Sequence, residues 1–535
     1  MPKVANIIAN RLYEAGCRHA FGIPGGEVLS QMEALEQAGI RFTLVKHENP
    51  GGFMAEGTHH ATGAPGILMA TLGPGVANAV NVIANAWQDQ VPMIFLTGCL
   101  DAAEGVTYTH QIFDHSALLK PITKASLRVC EGAVAATIDK AIAIATDGQP
   151  GPVHVDIPIS VANFEEPESN RPNRVQPAPM APASGPQIEA ARQALSTAKR
   201  PIIIAGIDVL HHGAAEEVAA FAKDFNIPLL TTYKGKGILP EDHPLALGAA
   251  GLSPKADDLL LPLVAQADMI ILAGYDPIEM RSGWRDPWGS NVMVVEFSAI
   301  PNTHYMHQAR HSFIGDVGAG IAALRSRVTP SETWPDGEAA AVRATVKSAF
   351  AGDGSWGPDL LVQTARKALP RNTIATVDTG AHRILFSQVW EAYEPRSVLQ
   401  STALCTMGVA MPMALGYKIA NPERPVVAFS GDAGMEMVLG DLATLRDCGL
   451  AVIIIVFVDE SLSLIEMKQR DRGKDNLGVD FGGTDWKGVT EAMGGVGIIA
   501  GDAQTLEREI KVALDRETYT LIACPIGRKA YDGKI

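Results

Sequence analysis

Runs of consecutive apolar residues recur from one end of the chain to the other, separated by amphipathic stretches and glycine-rich turns. The clearest are residues 66–71, 93–97, 201–205, 269–273, 426–430 and 452–458. They are apolar at nearly every position, not at every second one. That pattern suits strands covered on both faces, as in a parallel sheet. Between them lie stretches with helical spacing, such as residues 189–195. Strands alternating with helices predict an α/β protein whose parallel sheets are flanked by helices. Two stretches punctuated by Pro and Gly, residues 164–186 and 329–357, read as linkers, the second with an Ala-rich, helix-like middle. They cut the chain into three domains, 1–165, 187–328 and 358–535, each of ordinary size. The pattern alone leaves open whether the first and third carry sheets of the same size.

Composition narrows the function classes. The 535 residues are 47% hydrophobic and 19% charged, a globular balance and not a disordered one. Acidic residues outnumber basic ones by 59 to 44, a net charge of −15 with no basic block. Nucleic acid is therefore a poor partner, because phosphate neutralisation dominates such binding. No apolar run reaches the ~18–20 residues of a membrane span. Met1-Pro2-Lys3-Val4 opens no apolar signal core, so the cytoplasm is the expected compartment. The six cysteines are scattered without a CxxC pair, so they read as buried thiols, not as a zinc or redox site.

The chemistry-bearing residues cluster at predicted strand ends. Residues 426–430 form an apolar strand that opens into Gly431-Asp432-Ala433-Gly434; a helix-like stretch follows, then the strand 452–458 and Asp459-Glu460-Ser461. Parallel strands end at the same edge, where open α/β sheets bind ligands. Asp432 and Asp459 are one βαβ unit apart and can converge on one hard cation, while the turn beside Asp432 offers backbone N–H groups to phosphate. Taken alone, the same turn also reads as a solvated loop with a helix cap.

Together with further motifs, this segment resembles the thiamine-diphosphate-dependent 2-oxo acid decarboxylase and carboligase family, closest to the acetolactate synthase large-subunit branch. The family's Gly-Asp-Gly and Asn-Asn motif aligns with Gly431-Asp432-Ala433 and Val458-Asp459. In the first block, residues 21–26 with Pro24-Gly25-Gly26, Glu48 at a strand end, and residues 70–78 with Gly75 and Asn78 are similar to the pyrimidine-binding domain. Residues 121–124 and 148–158 extend the likeness. In the third, Thr379-Gly380-Ala381-His382 is similar to a second diphosphate-side loop, and residues 405–412 to the segment that bends the cofactor. The resemblance implies pyrimidine-binding, central and diphosphate-binding domains. It implies Mg²⁺ held by Asp432, Asp459 and the main-chain oxygen of Ser461. It makes Glu48 the carboxyl that activates the cofactor ring, Met407 the wedge between its rings, and the main chain of Cys405 and Met407 its pyrimidine contacts. It also implies a homodimer or homotetramer with active sites between subunits.

Two positions depart from the motif. Ala433 replaces a glycine, a mild change if its φ is negative. Asp459 replaces an Asn and adds negative charge beside a diphosphate, which weakens binding unless a cation compensates. Lys468, Arg470 and Arg472 follow it.

The substrate pocket implied by the resemblance includes residues 108–113, with His110 as proton donor and Gln111 orienting the substrate carbonyl. His115, His59 and His60 have weaker claims, and His59-His60 reads as helix surface. Residues 231–244 are similar to the family's central domain, but the stretch 274–281, where acetolactate synthases hold FAD, is altered, so FAD is doubtful. The expected reaction is decarboxylation of a 2-oxo acid, with the resulting enamine protonated or ligated to a second carbonyl. The alternatives are a non-decarboxylating C–C lyase or acyltransferase acting on an aldehyde or acyl substrate, and a degenerate, non-catalytic relative.

Overall fold

Every apolar run marked in the sequence is a strand, and each lies in one of three six-stranded parallel sheets. The computed structural model describes residues 1–167 and 178–535. The linker expected at 164–186 falls partly on residues 168–177, which lie outside the described residues. The first sheet contains β1 (His19–Ile23), β2 (Arg41–Leu44), β3 (Gly66–Ala70), β4 (Met93–Cys99), β5 (Ala125–Arg128) and β6 (Pro152–Pro158), in the order β2-β1-β3-β4-β6-β5. The central sheet contains β7 (Pro201–Ala205), β8 (Leu229–Thr232), β9 (Ala246–Ala250), β10 (Met269–Ala273), β11 (Met293–Ser298) and β12 (His311–Ile314), in the order β12-β11-β10-β7-β8-β9. The third contains β13 (Ile374–Val377), β14 (Val398–Gln400), β15 (Val426–Gly431), β16 (Ile453–Val458), β17 (Val496–Ile499) and β18 (Thr520–Pro525), in the order β14-β13-β15-β16-β18-β17. Strand for strand, the first and third sheets have one topology. The inner strands are buried along their length, because helices cover both faces.

That shared topology gives the two outer domains equivalent helices. Glu48–Thr62 follows β2, and Ala410–Ala420 follows β14. The two pack on each other within one chain and join both domains into a single apolar core. Their approach is backbone to backbone. A Cβ on Gly57 would lie 2.3 Å from the Met413 carbonyl oxygen, and one on Gly416 would lie 1.9 Å from that of Met54. No side chain fits either position.

All three domains meet at one polar junction. The Asp89 carboxylate accepts the N–H groups of Thr402 and Ala403 and pairs with Lys234 at 3.2 Å. His59 and His60 lie here, against the expectation that they occupy helix surface: His59 is 6% exposed, and both line a small crevice with His211 and Arg396. Docking of the other two domains, which a helix-face pattern does not encode, covers them. Burial, and then the Arg396 charge, lowers His59 from 6.5 to about 3. Burial likewise holds His60 and His211 well below the usual range. Glu56 at the same junction is pushed the other way, up to about 8, by burial and then by Asp89.

A histidine kept neutral in the folded state binds its proton only on unfolding. Its stabilising contribution is present above about pH 6.5 and is lost as the pH falls towards 3. His59→Gln keeps a donor for the Ala64 carbonyl, which His59 Nδ1 meets at 3.0 Å, and removes the titration. Denaturant unfolding at pH 7 and pH 5 should show wild type losing about 1–2 kcal/mol more than the variant on acidification. An equal loss would show that His59 takes up no proton on unfolding.

Candidate active site

The third sheet brings the expected cation ligands together. Gly431 ends β15 and the chain turns at once into the short helix Asp432–Glu436. β16 runs parallel beside it, with Gly431 opposite Phe457, so Asp432 and Asp459 emerge at the same edge. The Asp432 carboxylate accepts N–H groups from Glu460 at 2.7 Å, Ala433 at 2.9 Å and Asp459 at 3.1 Å. Asp459 accepts the Ser463 hydroxyl at 2.6 Å and the Ser461 N–H at 3.3 Å. Ala433 lies within the helical turn, so its methyl group meets no left-handed backbone. Burial, with the Asp432 charge adding to it, pushes Asp459 up to about 7. The basic residues downstream do not offset this charge. Arg470 is held by Glu466 and Asp532, and Arg528 in the tail by Asp480 and Glu460.

One buried carboxylate missed by sequence reasoning organises the site. Asp378, 1% exposed, follows β13 and accepts the N–H groups of Thr379 at 2.8 Å and Gly408 at 2.9 Å and the Ser430 hydroxyl at 2.9 Å. It ties the Thr379–His382 loop, the Met407 loop and the β15 end to one group. It also explains Gly434, where a Cβ would lie 2.1 Å from Asp378 Oδ2. The signal available was an acidic residue ending an apolar strand just before Thr379-Gly380.

Those segments enclose a cavity of about 140 Å³. Its walls carry Thr379, Gly380, Ala381 and His382, then Met407, the 431–434 turn, Asp459 and Ser461, with Tyr531 of the C-terminal tail. Cys405 is beside but not on the wall: its φ is 55° and its thiol donates to the Thr402 carbonyl. The residues fit a bound diphosphate and metal. His382 Nε2 and Thr379 Oγ1 are buried without a partner, and the His382 ring is kept neutral by burial at a pKa of about 3. The Ala381–Val389 helix begins at the wall, where first-turn N–H groups have no partner in the helix. Asp432, Asp459 and Ser461 form the oxygen-rich set that Mg²⁺ prefers.

The first-domain candidates form separate groups. Glu48, 3% exposed, opens its helix and accepts the Asn78 amide at 2.9 Å; a Cβ on Gly75 would lie 3.2 Å from its carboxylate. Pro24, Gly25 and Gly26 follow β1, where Glu27, another residue missed, accepts the Leu72 N–H at 2.8 Å. None of these lines the third-domain cavity of its own chain. His110 and Gln111 lie on an exposed loop, and Gln111, at φ 59°, borders a second cavity of about 410 Å³ with His115, Arg128 and Asp156. His110 does not border it. His115 is tightly engaged: its Nδ1–H donates to Asp156 at 2.9 Å and its Nε2 accepts the Gly73 N–H at 3.1 Å. Burial opposes ionisation of Asp156, but hydrogen bonds from His115 and His154 hold it below the usual carboxylate range. His154 and Asp156, two residues apart on an otherwise apolar strand, share a face, and that period was a readable signal.

At the central switch point, where FAD was doubtful, the two turns pack directly on each other. Gly206 donates to the Ala273 carbonyl at 2.9 Å, and Asp208 donates to that of Gly274 at 3.2 Å. Arg281 pairs with Asp257. Among the described residues, no helix is long and apolar enough to cross a membrane.

Comparison with known proteins matches residues 2–118 to the N-terminal TPP binding domain of thiamine pyrophosphate enzymes, 188–324 to their central domain and 378–524 to their C-terminal TPP binding domain. The chain is 28% identical to the acetolactate synthase of Bacillus subtilis, over 98% of this chain and 93% of that one. It is 30% identical to a probable acetolactate synthase large subunit of Methanocaldococcus jannaschii, over 86% and 81%. It is also 30% identical to the acetolactate synthase isozyme 1 large subunit of Escherichia coli, over 87% and 83%.

If Asp378 holds the loops in register for the cofactor, Asp378→Ala should weaken thiamine diphosphate binding by about tenfold or more, and Asp378→Asn, which keeps one acceptor, by less. Titration calorimetry measures both. Wild-type affinity in the alanine variant would remove Asp378 from the site.

Proposed function

The chain belongs to the thiamine pyrophosphate enzyme family, and from that premise we propose that it decarboxylates a 2-oxo acid and either protonates the remaining fragment or joins it to a second carbonyl. The observation that carries this reading is the convergence of Asp432, Asp459, Ser461, His382 and Met407 on one cavity. Bound there, thiamine diphosphate supplies the nucleophilic carbon and the electron sink that loss of carbon dioxide requires. Asp432, Asp459 and the Ser461 carbonyl would hold Mg²⁺. The Gly380 loop would hold the diphosphate, with the neutral His382 ring beside it. Met407 would supply the apolar wedge against the cofactor's rings.

Glu48 has the remaining role, holding a proton at the cofactor's pyrimidine nitrogen. It does not line its own chain's cavity, so a second copy supplies it, which makes the working unit a dimer or a dimer of dimers. His110 delivers the proton to a fragment released as aldehyde, and Gln111 orients the substrate carbonyl. Their loop is exposed in the single chain.

Two measurements test this. NMR of the protein with thiamine diphosphate, Mg²⁺ and a panel of 2-oxo acids headed by pyruvate should show substrate loss with carbon dioxide release. Acetolactate as product places the reaction with ligation, and an aldehyde places it with protonation. No turnover of any acid by the cofactor-loaded protein would exclude decarboxylation and favour a C–C lyase. Separately, Asp459→Asn should tighten cofactor binding by about tenfold at pH 8. Equal affinity at pH 8 would show that this charge does not limit binding.

A further inference from the structure

The 329–357 stretch, read from sequence as a linker, is docked. Its helix Glu338–Ala349 packs between the central and third domains. With β9 and the helices Pro358–Ala368 and Ala381–Val389 it lines a cavity of about 470 Å³ that shares no lining residue with the cofactor cavity. That volume suits a small-molecule ligand.

The charge of this cavity runs against the chain. In a protein of net charge −15, its walls carry Lys236, Arg343, Lys347, Arg366 and Lys367. Of the lining residues, only Glu241 and Glu391 oppose them. Lys236 and Glu241 neutralise each other at 2.6 Å, as do Lys347 and Glu391 at 2.7 Å, which leaves Arg343, Arg366 and Lys367 as the excess charge of the wall. Arg343 and Arg366 hydrogen-bond to carbonyl oxygens, not to carboxylates. Polar groups are also left over. Ser387, fully buried, and Trp390, 1% exposed, both belong to the wall, and neither Ser387 Oγ nor Trp390 Nε1 has a partner. Trp390, Tyr393 and Phe350 add aromatic wall, with Phe386 stacked on the Trp390 ring and Arg371 lying 3.6 Å over that of Tyr393. The Arg366 guanidinium already lies 4.4 Å from the Trp390 ring centroid. β9 bulges here, and a Cβ on Gly248 (φ 97°) would meet nothing within 4 Å.

We propose that this interdomain cavity is a second ligand site, for a small organic anion, and that its occupancy is felt at the cofactor pocket. Arg343, Arg366 and Lys367 take the anionic group. The coupling element is the helix Ala381–Val389. Its first turn carries Ala381 and His382 on the wall of the cofactor cavity, and its last turn carries Ser387, Gln388 and Val389 on the wall of this one. Nine residues span about 13 Å, so a ligand that shifts the C-terminal end moves His382 as part of one rigid rod. This coupling rests on the cofactor reading above; the binding itself does not.

Calorimetry with adenosine 5′-monophosphate and with salicylate, in the absence of cofactor, distinguishes a phosphate from a carboxylate as the anionic group. Saturable binding of either, weakening as salt rises, is the expected result. The double charge reversal Lys347→Glu/Lys367→Glu places both changes on exposed side chains and should weaken it by about tenfold or more. Where that pair does not fold, Lys367→Glu alone carries the comparison. The bound anion should also change the thiamine diphosphate dissociation constant by about fivefold. Failure of both anions to saturate, or unchanged affinity in a folded charge-reversal variant, overturns the site. A bound anion that leaves cofactor affinity unchanged overturns the coupling. A protein that binds the anion but no thiamine diphosphate upholds the site and counts against the cofactor reading instead.

Discussion

The crossing of the Glu48–Thr62 and Ala410–Ala420 helices is the constraint on which the rest depends. Its glycines bring the two backbones together where any side chain would collide with a carbonyl oxygen. The helices hold equivalent places in two sheets of the same strand order. Glu48 opens one helix, and the Met407 loop leads into the other. A shift of the crossing therefore displaces the proposed activating carboxyl and the proposed wedge together. Backbone-to-backbone packing is stiff because it leaves no rotamer through which strain can relax.

Around that crossing, buried carboxylates act as fastenings for loops. Asp378 gathers the loops of the third domain, Asp432 caps the turn after β15 and reaches the chain beyond β16, and Asp89 pins the junction of all three domains. Each faces backbone N–H groups left unpaired where strands end. A carboxylate accepts several hydrogen bonds at once, which suits a sheet edge rich in such donors. The same edge would present donors to a phosphate. Fold and proposed chemistry thus draw on one electrostatic feature, the N–H groups exposed at the carboxyl ends of parallel strands. Asp459 is where the two uses conflict, because its charge is buried beside Asp432 without a compensating cation among the described residues.

Much of this was legible beforehand, and the failures have definite causes. The strands were readable because two-sided burial writes itself as an unbroken apolar run. The Asp432 and Asp459 pair was readable because a βαβ unit returns to the same edge after a predictable length. Asp378 and Glu27 escaped because their roles lie in hydrogen bonds to backbone atoms of other loops, and backbone N–H groups leave no trace in residue identity. His59 and His60 were misread because the surface of their helix is covered by two other domains. The Ala-rich helix in the second linker was seen, but not that it forms one wall of a cationic cavity.

Local periodicity and side-chain chemistry in the sequence were enough for the α/β class, the strands and the candidate cation and phosphate residues at their ends. Only the tertiary structure decided that the outer sheets share one topology and that Met407 joins Asp432 at one cavity while Glu48 stands apart from it. It alone decided that Asp459 meets its neighbours with a raised pKa and that five basic side chains from three segments surround one space. Those are facts of long-range packing. They arise when residues hundreds of positions apart exclude water from the same place, and the strength of every charge there is set by that exclusion.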